Sequence, residues 1–264
     1  MSESLTNSIF NRVEILIGQK GLEKLRNSHV AIFGAGAVGS FAAENLVRSG
    51  IGEMTIIDFD TINKTNINRQ LGAMHSSLGL QKTEVLSVRF IDINPDLKIH
   101  TVNQFVDTEN LNNMNLSNFS YIIDAIDSFT PKLNLLRICL ESDLPIISSM
   151  GAAGKINPTK IRIDWLGKTN SCPLARRLRK FLRRFNVNFD TLLTVFSTEV
   201  PFKPVPPDET FEELTIERGR RRNVSGSICH IPAIFGSYIA AIVIQAILEK
   251  KRIPGFVNEA LGKN

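Results

Sequence analysis

Residues 29 to 50 read HVAIFGAGAVGSFAAENLVRSG: a short apolar run, a glycine turn, and an alanine-rich stretch closing at Gly50. An apolar run of this length suits a buried strand, and the segment after the glycines has the composition of a helix, so this is a strand-turn-helix unit. Further strands are predicted at Met54 to Asp58, Lys98 to Val102, Tyr121 to Asp124 and Pro145 to Ser149. Helices are predicted between them at Gln81 to Ile93, Thr108 to Met114 and Pro131 to Ser142. Strands alternating with helices imply an α/β, Rossmann-like, doubly wound and mainly parallel sheet with helices on both faces.

The ends of the chain read differently. Arg12 to Arg26 has helical spacing in Val13, Leu16, Ile17, Leu22 and Leu25, with a hinge expected at Gly18 or Gly21. After Gly151, KINPTKIRIDWL looks like one or two added strands, and residues 167 to 228 show little apolar periodicity. That stretch is read as a long, polar, basic and irregular crossover insertion, followed by a helix after Pro232. The apolar run Ile231 to Leu248 contains Ser237 and Gln245 and starts beside Pro232, which favours a buried C-terminal helix over a membrane span. We expect one domain over residues 1 to 264 and no membrane association.

Composition narrows the class. Hydrophobic residues at 43% with 22% charged belong to a globular chain, and the net charge of +5 mildly favours an acidic partner. Cys139, Cys172 and Cys229 form no Cys-x-x-Cys pair, so neither a disulfide framework nor a thiolate zinc site is expected. The start, MSESLTNSIFNRVEILIG, lacks a basic region followed by an apolar run. The expectation is a cytoplasmic protein. The four histidines show no metal-ligand spacing and are given no role.

Gly34-Ala35-Gly36-Ala37-Val38-Gly39 matches G-x-G-x-x-G, in which backbone N–H groups and the following helix N-terminus approach phosphate oxygens. Asp58 ends the next strand, where a carboxylate can accept hydrogen bonds from ribose hydroxyls. These two features admit NAD and ATP equally, and a ligand-free tight turn is a third reading. The residues that follow favour ATP. Asp60, Asn66, Arg69 and Gln70 come next, then Lys82, and YIIDAIDS supplies Asp124 and Asp127. In a doubly wound sheet these positions converge on one edge, where cations neutralise a triphosphate and a carboxylate holds magnesium. Hydride transfer has no use for such a cluster.

The ordered set F-N-R at 10 to 12, G-A-G-A-V-G-S, G-I-G-x-x-x-I-I-D-F-D, N-x-N-R-Q, G-x-x-K-x-E, I-N-P and D-A-I-D resembles the ThiF/MoeB/HesA superfamily of ATP-dependent carboxylate-adenylating enzymes. Within it, Y-I-I-D-A-I-D-S-x-x-x-K, GAAGKINPTKIRI, K-T-x-x-x-P-L-A-R-x-L-R and V-F-S-T-E are similar to the tRNA threonylcarbamoyladenosine dehydratase branch. Sulfur-carrier-activating relatives usually carry two zinc-binding Cys-x-x-Cys pairs, which this chain lacks.

The resemblance implies roles. Gly34, Gly36 and Gly39 would cradle phosphate, Asp58 would hold the ribose, and Asp60 and Gln70 would belong to the same nucleotide site. Asn66, Arg69 and Lys82 would surround the triphosphate, and Asp127 would be the carboxylate linked to Mg2+. Arg12 matches an arginine that reaches the neighbouring subunit's nucleotide, which implies a homodimer. The implied reaction is ATP-dependent cyclisation of N6-threonylcarbamoyladenosine next to the tRNA anticodon, with no zinc. Activation of a ubiquitin-like sulfur carrier and NAD-dependent oxidation are the rival readings, and a sulfur-relay protein is a further candidate partner.

ARRLRKFLRR, residues 175 to 184, carries six cations in ten positions, with Leu178, Phe181 and Leu182 on one helical face. Arg176, Arg177, Arg179, Lys180, Arg183 and Arg184 are therefore candidates for phosphate-backbone contacts. RGRRR at 218 to 222 is a second basic run. Cys172 stands where the dehydratase pattern commonly has aspartate, which argues against a catalytic thiol there.

Overall fold

The computed structural model describes residues 8–206 and 224–249. Strands β1 (His29–Phe33), β2 (Glu53–Ile57), β3 (Lys98–Val102), β4 (Tyr121–Asp124), β5 (Ile146–Ser149), β6 (Ile161–Trp165) and β7 (Leu193–Ser197) make one sheet in the order β3-β2-β1-β4-β5-β7-β6. Every neighbouring pair is parallel except β6 with β7. The order reverses between β1 and β4, and ligands of such sheets bind in the crevice outside the strand ends at that point.

The central strands read as unbroken apolar runs because both of their faces are covered. Val30, Ile32, Met54 and Ile56 pack with Ala42 and Leu46 of α2 (Ala37–Arg48) and with Phe235, Ile239 and Val243 of α7 (His230–Glu249). Ala31, Phe33 and Ile122 face the other way, onto Leu135 and Leu136 of α5 (Phe129–Glu141) and Leu178 and Leu182 of α6 (Pro173–Leu182). The remaining helices are α1 (Asn11–Arg26), α3 (Lys82–Ile93) and α4 (Thr108–Asn113). Inside α1, Gly18 takes φ 73° and ψ 164°, so the hinge falls at the first of its two glycines.

The apolar C-terminal helix is part of the core. Its buried residues Ile231, Phe235, Gly236, Ile239, Ala240, Ile242 and Val243 lie on one side, and a Cβ at Gly236 would come within 2.7 Å of Val38 O in α2.

Residues 167 to 206 correct the expectation of an irregular insertion, since they hold α6 and β7. α6 takes up the helical face read from Leu178 and Leu182, which with Ala175 are fully buried. β7 is buried at all five positions, so it shows no alternation to read. The basic run at 218 to 222 lies outside the described residues.

Candidate active site

The glycine turn needs two of its glycines because a side chain or a standard backbone would not fit there, and the third leaves the turn open. Gly34 has φ +98°, a region L-residues rarely enter, and a Cβ there would lie 2.7 Å from Ala125 O in the loop after β4. At Gly39 a Cβ would fall 1.8 Å from Gly34 O, so the first turn of α2 presses directly on the loop. Gly36, the N-cap of α2, has open space around its missing Cβ. That opening is where an anion can approach the N–H groups at the start of a twelve-residue helix.

Asp58 follows β2 and is fixed against this loop. Its Oδ2 accepts the Ala35 N–H at 2.7 Å, and its Oδ1 accepts the Asp60 N–H at 2.8 Å. Burial raises its pKa, opposed by the charge of Lys82 and by the two backbone donors, with Asp60 adding a smaller upward push. A half-buried carboxylate positioned by the loop itself is suited to accept ribose hydroxyls.

Residues 60 to 82 form a closed loop on the same edge. Thr61 and Gln81 make an antiparallel bridge, Ile62 N–H donates to Leu80 O at 2.8 Å, and Lys82 N–H donates to Asp60 O at 3.2 Å. The Lys82 ammonium, with its side chain 8% exposed, pairs with Asp60 Oδ2 at 2.7 Å. Its alkyl stem is therefore buried while its charge sits beside Asp58 and Asp60. Gln81 buries its Oε1 with no partner among the described residues, an acceptor left open at the same place.

Within that loop Asn66 is 4% exposed, and its Oδ1 accepts the Asn63 N–H at 3.1 Å. Its carbonyl accepts from Arg69 N–H and Gln70 N–H at 3.0 and 2.9 Å, so one short turn sets all three residues. The Arg69 guanidinium donates to Thr65 O at 2.7 Å and Asn68 Oδ1 at 3.0 Å.

Asp127 is exposed in the loop after β4, next to the Ala125–Ile126 backbone that lies over Gly34, and accepts from Ser128 Oγ at 3.3 Å. Asp124 has a different fate. It is fully buried, and its Oδ2 accepts from Lys132 Nζ at 2.5 Å and Ser148 Oγ at 2.6 Å. Burial pushes its pKa up and Lys132 opposes this. Lys132 Nζ also donates to Ser148 Oγ at 3.3 Å, so a polar network lies directly beneath the glycine turn. The sequence signal for Lys132 was a charge eight residues after a strand aspartate, in a helix otherwise apolar on that face.

Arg12 is exposed in the first turn of α1. Phe10, just before it, packs beside Gly50, at the end of α2 opposite to the glycine turn. A twelve-residue helix is about 18 Å long. The structure therefore does not bring Arg12 to the nucleotide loop of its own chain.

The cations of α6 and of the 3-10 turn Arg183–Phe185 that follows it divide. Arg176, Arg177, Lys180, Arg183 and Arg184 are exposed, with Arg177 stacked over the Phe129 ring at 3.7 Å. The half-buried Arg179 donates to Leu166 O at 3.2 Å and Thr169 O at 3.0 Å and also to Thr169 Oγ1, so it holds the preceding turn. Cys172 is 4% exposed and Cys139 is buried with its thiol pushed up to about 12 by burial and by Asp124.

Known proteins are similar to this chain in sequence and in fold. The chain is 36% identical to the tRNA threonylcarbamoyladenosine dehydratase of Bacillus subtilis (strain 168), covering 91% of this chain and 94% of that protein. It is likewise 36% identical to the Haemophilus influenzae protein of the same name, covering 92% and 94%. Its structure is similar to that of E. coli tRNA N6-threonylcarbamoyladenosine dehydratase in complex with ATP, with a TM-score of 0.80 at 33% identity, covering 91% of this chain and 94% of the other. The AMP complex gives a TM-score of 0.81 at 32% identity, covering 94% and 98%. Residues 10–262 match the ThiF family, and the chain belongs to that family.

Proposed function

We propose that this protein is an ATP-dependent dehydratase that cyclises N6-threonylcarbamoyladenosine in tRNA. The observation that carries the reading is the coupling of Ala35, Asp58, Asp60 and Lys82, a nucleotide loop whose ribose acceptor is tied to a lysine at the phosphate side. Relatives bearing the dehydratase name along nearly the whole chain supply the substrate.

The nucleotide's phosphates lie over Gly36 and the N-terminus of α2, with the ribose on Asp58. A threonyl carboxylate oxygen attacks the α-phosphorus, the bond to the bridging oxygen breaks, and pyrophosphate leaves. Lys82 and Arg69 supply positive charge where negative charge builds on the departing phosphates, and Asn66 fixes the turn that carries Arg69. An atom of the neighbouring carbamoyl group then attacks the activated carbonyl, closing a five-membered ring and expelling AMP. The oxygen lost from the substrate leaves on AMP. Because the attacking group is tethered, no enzymic nucleophile is required, and the buried Cys172 is left without a catalytic role.

Asp127 offers an exposed carboxylate at the loop that meets Gly34, a hard oxygen donor fitted to Mg2+, which would neutralise phosphate charge when bound. The exposed face of α6 lies on the phosphate backbone of the tRNA. Arg12, remote from its own loop, enters the site of a second copy in a homodimer. We place the protein in the cytoplasm.

Incubation with Mg-ATP and threonylcarbamoylated tRNA, followed by gentle digestion and mass measurement of the nucleoside, tests the reading. Loss of one water with stoichiometric AMP is expected. An unchanged nucleoside together with ATP–pyrophosphate exchange on the C-terminus of a sulfur-carrier protein would transfer the site to that rival substrate.

A further inference from the structure

The N-terminal ends of the strands, away from the nucleotide loop, carry a second cluster. His29 opens β1 and is the register partner of Glu53, which opens β2; His100 of β3 is the register partner of Thr55. Residues two apart on a strand share a face, so His29, Glu53, Thr55 and His100 project from the same side of the sheet. There Glu53 Oε1 lies 2.9 Å from His100 Nε2 and 3.5 Å from His29 Nδ1. The three ligand-type atoms are all within 4.8 Å of one another.

These separations suit one ion. Imidazole nitrogens and a carboxylate oxygen at about 2.0 to 2.2 Å from a tetrahedral metal stand about 3.3 Å from each other. The rings are also oriented from behind. His29 Nε2 is 2.8 Å from the hydroxyl of the buried Thr55, and when Nε2–H donates there, the Nδ1 lone pair is left facing Glu53. Phe119 meets the His29 ring edge-on with centroids 4.8 Å apart, which fixes its plane.

We propose that His29, Glu53 and His100 form a binding site for a first-row divalent transition metal, Zn2+ foremost, which fastens the edge strand β3 and its neighbour β2 to β1. Two imidazoles with a carboxylate are a donor set for such metals rather than for Mg2+ or Ca2+. Burial lowers the pKa of His29, which Glu53 opposes and His100 reinforces. Glu53 is held ionised chiefly by its hydrogen bond from His100 and also by the charges of His29, His100 and Lys98. Lys98, the register partner of Glu53, opposes cation entry, and the gap between exposed side chains of His100 and Glu53, at 55% and 32%, is the entry path.

Titration of the full chain with Zn2+, in a Cys229→Ser background that removes the exposed thiol, tests the site. Binding of about one ion per chain is expected. His100→Ala and Glu53→Gln should each reduce the affinity at least tenfold, and Thr55→Val should reduce it by about 10- to 100-fold through loss of ring orientation. AMP affinity measured on the same samples reports that the variants are folded. Co2+ titration adds a spectroscopic check, since a two-histidine, one-carboxylate site gives visible bands that disappear in His100→Ala. No saturable Zn2+ binding, or binding unchanged in His100→Ala and Glu53→Gln, overturns the proposal.

Discussion

The Ala35 N–H donates to Asp58 Oδ2 at 2.7 Å, joining the turn after β1 to the residue that follows β2. Asp58 and the glycine turn, the proposed ribose acceptor and phosphate loop, are thus tied together before any nucleotide arrives. Hydrogen bonds to charged groups are worth about 1.5 to 3 kcal/mol. Replacing Asp58 by Ala should weaken AMP binding by about 10- to 100-fold, as read by calorimetric titration, because both the ribose contacts and the loop's anchor disappear.

The same carboxyl makes a prediction about pH. Burial raises its pKa in the folded protein, so its contribution to stability is greatest below the unfolded pKa and is lost as pH rises through the folded value. Nucleotide affinity runs the other way, because a protonated carboxyl is the poorer acceptor. AMP affinity should therefore begin to fall on acidification above the usual carboxylate range, and the fall should vanish in Asp58→Asn.

Gly36 and Gly39 should fail differently. A Cβ at Gly39 would overlap Gly34 O at 1.8 Å, whereas one at Gly36 has free space. Gly36→Ala is expected to melt near the wild-type temperature yet lose nucleotide binding, and Gly39→Ala to lose stability as well. Similar melting temperatures for the two variants would contradict this assignment of roles.

Lys82→Ala removes the ammonium that pairs with Asp60 and that, in the proposed reaction, faces the departing phosphates. Loss of one such positioned charge costs turnover about 10²- to 10³-fold. Single-turnover measurement of AMP release should show this loss with the circular dichroism spectrum unchanged; near-normal turnover would mean the triphosphate lies elsewhere.

The Lys132–Asp124 pair is fully buried and serves the fold. Lys132→Met strands a carboxylate in the core and should destabilise by about 3 to 5 kcal/mol in urea unfolding. The double variant with Asp124→Leu should recover much of that loss.

On α6 and the 3-10 turn that follows it, replacing Arg176, Lys180, Arg183 and Arg184 by Ala should raise the KM for tRNA and flatten its salt dependence while leaving the KM for ATP unchanged. Arg179→Ala should instead lower the melting temperature, since its guanidinium holds Leu166 and Thr169.

Sequence alone determined the five leading strands and the helices between them, because apolar runs separated by amphipathic segments have one economical packing, a parallel sheet covered on both faces. It also placed Gly34, Gly36, Gly39 and Asp58 on one edge, since they follow the ends of β1 and β2, with Lys82 at the start of the helix after the second of these loops. The face of Leu178 and Leu182 already marked α6 as a helix, whereas β7 was hidden by burial on both faces. Tertiary structure decided what local pattern cannot carry. It sent Asp124 inward to Lys132 and left Asp127 exposed, although both stand in one short motif, because Asp124 still lies within β4 and Asp127 lies in the loop beyond it. It separated Arg179 from the other cations of its helix, and it brought His29, Glu53 and His100 together across three strands. Periodicity along a chain reports which face a residue occupies; which distant residue meets it there is set by strand order and register.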